Sequence, residues 1–434
     1  MKKWMALLLA MGLLLALTAC GEVSPEEDAA TVVAEVNGEA ITKGEATPIY
    51  EAYTQQTISY YSALGSAVDA ANASFITDMK TTTLNMLAEG LALSQKAEEL
   101  RLSLTEEEMA EVETESQASF DEMVQSYMES YGVDEATAEQ AMENQGYSLE
   151  ILRYLGERNA VEEKLYDHVV ADVSVGEEEI QASYDELVAT AQQTYADNPG
   201  QYGSDVSMGS TIYVRPEGYR YIKNLVIALP EETQTQVTEL ENELYQAMQN
   251  QYYYQDMLSY QGPSMDAETL LRYNNLVDTY TQEIANLQTQ IDNQINTGKQ
   301  QVLAQAEEVL ALCQAEGADF DALMEEYNDD TVTDESILAN GYPVCAESAT
   351  YVAEFTDAAM ALQAVGDISG LVETDYGYHI LMYAGDVEPG VTPLEEVHDA
   401  IADDLLAQKQ SDAYEAAYQQ WLDDANIRVH VNKL

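Results

Sequence analysis

Residues 372–382 read Val-Glu-Thr-Asp-Tyr-Gly-Tyr-His-Ile-Leu-Met. Thr374 precedes a tight Tyr376-Gly377 turn, and His379 opens an apolar strand behind it. A hydroxyl and an imidazole set across a turn supply hydrogen-bond donors and acceptors. No metal or thiol chemistry accompanies them. His168, His379, His398 and His430 are too scattered to suggest a metal site. After Cys20 only Cys313 and Cys345 remain, with no redox motif and no zinc spacing. These two cysteines admit either one disulfide or two buried thiols. Taken singly, His379 before Ile-Leu also fits a core or strand-end histidine.

The order of motifs around that segment adds more. Upstream lie Gly317-Ala-Asp-Phe320, then Phe355-Thr-Asp-Ala-Ala-Met-Ala-Leu362, then Gly366-Asp-Ile-Ser369. This order resembles the parvulin family of peptidyl-prolyl cis/trans isomerases. The resemblance implies rotation about X–Pro bonds of a polypeptide, with no cofactor. That rotation has a barrier of about 20 kcal/mol and breaks no σ bond. Its catalyst needs a dry apolar pocket for the proline ring and a hydrogen-bonding floor that holds the twisted amide better than the planar one.

Parvulins build the floor from two His, a Thr and a Cys or Asp. On that pattern His379 takes the second His and Thr374 the Thr. Asp330 takes the Cys/Asp position, and Asn224 stands where the first His is usual. Asparagine donates and accepts hydrogen bonds but cannot reproduce an imidazole's tautomers. The usual Gly-Asp-Leu-Gly-x-Phe segment appears as Gly341-Tyr-Pro-Val-Cys-Ala346, which puts Pro343 at the Leu position. Pro343, Tyr351, Phe355 and Tyr376 are the substrate-binding residues the resemblance implies. The basic phosphate-binding loop of the phospho-specific branch has no counterpart.

The elements that must position these residues begin with a leader. Lys2 and Lys3 precede an apolar run from Ala6 to Leu17, too short for a stable span. Leu17-Thr18-Ala19-Cys20 then matches a lipobox, so lipid on Cys20 is expected to tether the body to the outer face of the cell membrane. The chain has 17 basic and 79 acidic residues, a net charge of −62. Nucleic acid binding is excluded on that balance, because phosphate must be met by Lys and Arg. The acidity is diffuse and reads as a solvated surface.

Val32 to Thr42 reads as a hairpin about Asn37-Gly38. Amphipathic helices follow, with a capping box at Thr105-Glu-Glu-Glu108. This opening, with Val173 to Tyr184, looks like the N-terminal chaperone region of extracytoplasmic PrsA and SurA-type foldases. In that family the segment after the parvulin domain packs with the N-terminal region. From Pro230 to about 298 lies an addition that parvulins usually lack. Its three-four spacing, broken at Gln261-Gly-Pro-Ser264, predicts an antiparallel coiled-coil hairpin.

The expected fold is α+β: a mostly helical N/C-terminal chaperone domain with an inserted parvulin-like domain, a small antiparallel sheet covered by helices. Residues 1–20 are the signal peptide, 21–30 a tether, 31–205 the N-terminal region, 217–388 the parvulin-like domain with its 231–298 hairpin, and 389–434 the closing segment. The leading function is an extracytoplasmic isomerase acting on unfolded or partly folded exported polypeptides. A holdase with an inactive parvulin domain competes with it, and a structural envelope lipoprotein is third. The hairpin also admits a homodimer.

Overall fold

A computed structural model describes residues 24–63, 68–330 and 335–434. Cys20 and its lipobox lie outside the described residues. The chain forms two compact units: one runs to Ser174 and resumes at Leu405–Leu434, and the other spans Val175–Asp404. The architecture is α+β, mainly helical with small antiparallel sheets. No helix among the described residues is long and apolar enough to cross a membrane.

In the first unit a short helix α1 (Pro25–Ala29) leads into strands β1 (Val32–Val36) and β2 (Glu39–Thr42). Asn37 and Gly38 both take positive φ, +52° and +88°, the geometry a two-residue hairpin turn requires. Helices α2 (Lys43–Ala63), α3 (Ala73–Leu100), α4 (Glu106–Tyr131), α5 (Glu135–Asn144) and α6 (Leu149–Val170) follow. The capping box forms as its residues dictate. Thr105 Oγ1 accepts from the Glu108 N–H at 3.2 Å, and the Glu108 carboxylate accepts from the Thr105 N–H at 2.7 Å. The C-terminal strand β9 (Ile427–Val429) pairs with β1, placing Val429 opposite Ala34 and Ile427 opposite Val36. Val33, Val36, Ile41, Leu84 and Leu87 form the core beneath, joined by Leu422 and Val429 from the chain's end.

The second unit opens with α7 (Glu177–Asp197) and α8 (Gln201–Ser207). Their Tyr195 and Tyr202 share a buried cluster with Tyr219 and Cys345, so residues 177–207 pack with the sheet unit although they precede the expected start at 217. β3 (Val214–Arg215) pairs with β8 (Gly390–Val391). The main sheet uses β4 (Arg220–Ala228), β5 (Tyr342–Val344), β6 (Val372–Thr374) and β7 (Gly377–Asp386), in the order β5-β4-β7-β6 and antiparallel throughout.

Alternation along the strands divides that sheet into two faces. Leu225, Ile227, Tyr378 and Ile380 form one face, covered by helix α11 (Phe320–Tyr327) and the end of helix α10 (Ala267–Cys313). Ile222, Val344, Leu381 and Tyr383 form the other, covered by α13 (Ala353–Ala361). The short α12 (Glu335–Asn340) precedes β5, and α14 (Leu394–Asp424) leads towards β9. Cys313 and Cys345 are unpaired, buried thiols in two different clusters.

The expected hairpin is α9 (Glu231–Gln261) against the first part of α10, joined at Gly262–Ser264. Leu229, Val237, Leu240 and Leu244 meet Ile291 and Ile295 near its base. Higher up, Tyr254 stacks on Tyr280 and meets Tyr273 edge-on. Gln251, polar within the seam, donates to Thr281 Oγ1 at 2.8 Å. At 1.5 Å per residue α9 is about 46 Å long. α10 does not stop at the arm's base near 298. It runs on for Ala306, Val309 and Cys313 to cover the sheet.

Candidate functional site

The site grows from the middle of β4 and β7. Their register sets Val226 beside His379 and Asn224 beside Leu381, and the β6 register sets Val372 on the other side of His379. Asn224, His379 and Thr374 therefore share the face that α13 covers. The β6–β7 turn must bring Thr374 close to His379. Gly377 makes this possible: its φ is +138°, and a Cβ there would lie 2.3 Å from the Ile227 carbonyl oxygen.

Asp330 arrives on a loop rather than a strand. β5 pairs only with Arg220–Ile222, so the far half of β4 lacks a partner strand on that edge. Residues 328–330 take its place. The Val226 N–H donates to Asn328 Oδ1 at 2.7 Å, the Asp329 N–H to the Val226 carbonyl at 2.9 Å, and the Ala228 N–H to Asp329 Oδ2 at 3.0 Å. Satisfying that backbone edge fixes the loop, and the loop delivers Asp330 to Asn224.

The four side chains then form one hydrogen-bonded chain. Asn224 Nδ2 donates to Asp330 Oδ2 at 2.9 Å. Its Oδ1 faces His379 Nδ1 at 3.0 Å, and His379 Nε2 faces Thr374 Oγ1 at 2.9 Å. Thr374 Oγ1 also accepts from the Tyr376 N–H at 3.1 Å. The carboxylate accepts only, so it orients the amide with nitrogen towards itself. The amide oxygen then requires the proton of His379 on Nδ1. Nε2 is left as an acceptor for the Thr374 hydroxyl. Burial drives the His379 pKa down to about 4, against the opposing pull of the Asp330 charge, so the ring is neutral at pH 7. Asn224, Thr374 and His379 are each no more than 8 % exposed.

Aromatic rings stand over this floor. Phe355 meets His379 edge-on at 5.9 Å and lies tilted against Tyr351 at 5.2 Å. Tyr342 joins them, 5.6 Å from Tyr351 and 6.1 Å from Phe355. Its hydroxyl donates to the same Asp330 Oδ2 at 2.8 Å, and burial together with that carboxylate pushes the phenol pKa well up. Pro343 does not belong to this wall. It pairs with Tyr221 while Tyr342 pairs with Ile222, and alternation turns its side chain to the opposite face. Tyr376 contributes its N–H, but its ring is exposed at the turn. Tyr342, which the family resemblance does not mark, supplies the third ring; two residues before the apolar Val344, it shares that residue's strand parity, opposite to Pro343.

No group of three or more His, Cys, Asp or Glu among the described residues is arranged to hold a metal. A crevice of about 10 Å³, room for roughly one water, lies behind Asn224, Asp330, Met324 and Tyr342. The arrangement offers donors and acceptors of fixed orientation under an apolar wall.

Residues 283–385 match the family model of the PPIC-type peptidyl-prolyl isomerase domain, also called rotamase. That stretch is similar to a parvulin-type domain. Residues 1–148 match the model of the SurA-like N-terminal domain. The rotamase match begins inside α10, so β4 with Asn224 lies ahead of it, on the other side of the arm. Among curated relatives, the foldase protein PrsA of Clostridium perfringens strain 13 is 34% identical over 117 residues, 26% of this chain and 34% of that protein. PrsA of Caldanaerobacter subterraneus is 34% identical over 113 residues, again 26% and 34%. Each alignment thus spans about a third of the relative's length. Among solved structures, PrsA of Streptococcus pneumoniae aligns over 92% of this chain and 95% of that one, at 16% identity and a TM-score of 0.23.

Proposed function

We propose that this chain is an extracytoplasmic foldase that catalyses cis/trans isomerisation of X–Pro bonds in unfolded or partly folded exported polypeptides. One observation carries the reading. Tyr342, Asp330, Asn224, His379 and Thr374 form a single oriented hydrogen-bonded chain beneath Phe355 and Tyr351. Such a floor meets a rotating carbonyl with groups of fixed orientation and transfers no proton, and the aromatic wall takes the proline ring. The catalytic side chains are Asn224, Asp330, Thr374 and His379, with Phe355 and Tyr351 as the wall. The PPIC-type match and the PrsA relatives support the same reading.

The catalytic domain is taken as residues 217–388 with the arm at 231–298, flanked within its own compact unit by 177–207, and residues 31–174 with 405–434 are taken as the chaperone part. The lipobox at Cys20 supports a lipid anchor on the outer face of the membrane. The test is a protease-coupled X–Pro isomerisation assay on the body from Gly21 onward. Activity that falls at least tenfold in His379→Ala and in Asp330→Ala supports the reading. A wild-type rate at the uncatalysed background overturns it.

A holdase is the second reading, and two observations favour it. The floor is buried as it stands, and the helical unit carries an open groove of about 590 Å³ lined by Met123, Tyr127, Tyr131, Met142 and Leu152, with Glu122, Ser119, Ser126 and Ser130 beside them. Methionine adapts to varied apolar partners, as a holdase requires. Suppression of aggregation by a chain without 217–388 separates this reading from the first.

A further inference from the structure

The arm turns several tyrosines to water, and one of them, Tyr253, also meets the seam residue Tyr254 edge-on at 5.1 Å. Tyr245, Tyr252, Tyr253 and Tyr260 on α9 are between 53 % and 81 % exposed, as is Leu271 on α10, and Met248 is 51 % exposed. Residues 245 and 252 are two helical turns apart, and so are 253 and 260. Four phenol rings therefore run along about 22 Å of the rod. The residues that seal the hairpin, Leu240, Leu244, Ala247 and Tyr254, lie on the opposite side of α9.

Charge indicates what covers this face. Residues 231–298 hold eleven carboxylates and one cation, Arg272. Arg272 itself lies 5.3 Å from the centre of the Tyr273 ring, a cation on a phenol within the same arm. Lysine and arginine gain from both features, because the rings attract cations and the surrounding carboxylates add long-range attraction. An anionic partner is repelled, and so is a second acidic arm.

We propose that the outer face of α9 holds cationic, extended polypeptide segments by stacking their Lys and Arg side chains on Tyr245, Tyr252, Tyr253 and Tyr260. The identification of such segments with unfolded exported chains rests on the foldase reading, while the binding itself does not.

The test uses the body from Gly21 onward and two fluorescein-labelled disordered peptides without proline. One is built of Lys, Ser and Leu, and the other has Glu in place of Lys. The Lys peptide binds, and its affinity falls at least fivefold between 50 and 300 mM salt. It also falls at least fivefold when all four tyrosines are changed to Ser, with helicity checked by circular dichroism. A second variant, Glu241→Gln with Glu243→Gln and Asp256→Asn, leaves the rings in place and weakens binding at least twofold. Isomerisation of an X–Pro tetrapeptide is unchanged in both variants. Equal binding by the tyrosine variant, or equal binding of the Glu peptide, overturns the proposal. So does a doubling of mass by light scattering that vanishes in the tyrosine variant, because it assigns the face to a second copy. Absence of isomerase activity with peptide capture intact removes the catalytic reading and leaves this one standing.

Discussion

Acidification should weaken the sheet unit through His379. An ordinary histidine titrates near 6.5, and burial brings this one down to about 4. The unfolded chain therefore binds a proton between these values that the folded chain refuses. Stability is complete above pH 6.5 and is lost as pH falls towards 4, because the unfolded state binds more protons over that window. The difference is worth about 3 kcal/mol by pH 4. The geometry explains the refusal. A second proton must sit on Nε2, which already accepts from the Thr374 hydroxyl, and that hydroxyl is held by the Tyr376 N–H. The assay is a proton–carbon NMR titration of the imidazole resonances. Urea unfolding, read on β7 amides, accompanies it for the wild type and for His379→Gln. The variant removes the titrating group, so other acid effects cancel in the comparison. His398 is an internal control, since the hydrogen bonds its ring donates to the Asp399 and Glu177 carboxylates raise its pKa and it should titrate above 6.5. A His379 resonance titrating near 6.5 refutes the reasoning. So does a wild-type-minus-variant difference that stays flat from pH 7 to pH 4.

Four further outcomes are expected. Asn224→Leu removes the partner of His379 Nδ1 and a donor to Asp330 Oδ2, which among the described residues it shares with Tyr342. It should cost about 2–5 kcal/mol and allow the proton of His379 onto Nε2, seen in the ring nitrogen shifts; an unchanged Nδ1–H form counts against the derived tautomer. Tyr342→Phe keeps the ring and loses one hydrogen bond to a carboxylate, about 1–2 kcal/mol, with the isomerisation rate within fivefold of wild type. Phe355→Ala empties the wall, costs about 3–4 kcal/mol and should lower that rate at least tenfold, so equal effects of the two variants contradict the assigned roles. Gly377→Ala places a methyl group against the Ile227 carbonyl and should cost more than about 2 kcal/mol, measured by urea unfolding followed on the β4 amides.

How far the sequence reveals this site depends on distance along the chain. Thr374 and His379 are five residues apart, so a turn and a period of two decide their meeting. Asn224 and Asp330 are joined across 106 positions, with the arm between them, and no local pattern connects them. Only the motif resemblance brought them together. Pro343 was misplaced by one residue, and in a strand one residue is the other face. The base of the arm also escaped the heptad reading, because α10 changes partner from α9 to the sheet without breaking its helical pattern. Residues 177–207 carry amphipathic spacing that says a face is buried, but not in which core.

Asn224 also changes the character of the floor it completes. An imidazole at that position fits the network in either tautomer, and the proton of His379 then follows whichever one is present. An amide has two unlike ends. Asp330 admits only the nitrogen end, so the oxygen end must face His379. Every bond from the Tyr376 N–H to Asp330 then has one direction, set by a single carboxylate. On the proposed isomerase reading, a floor of this kind presents a rotating carbonyl with fixed donors and acceptors. It does so without the protonation changes that would make its rate follow pH between 5 and 8. The consequence is checkable: the isomerisation rate should be flat over that range and fall only as pH approaches 4, and a rate that tracks a group titrating near 6.5 would count against a neutral His379.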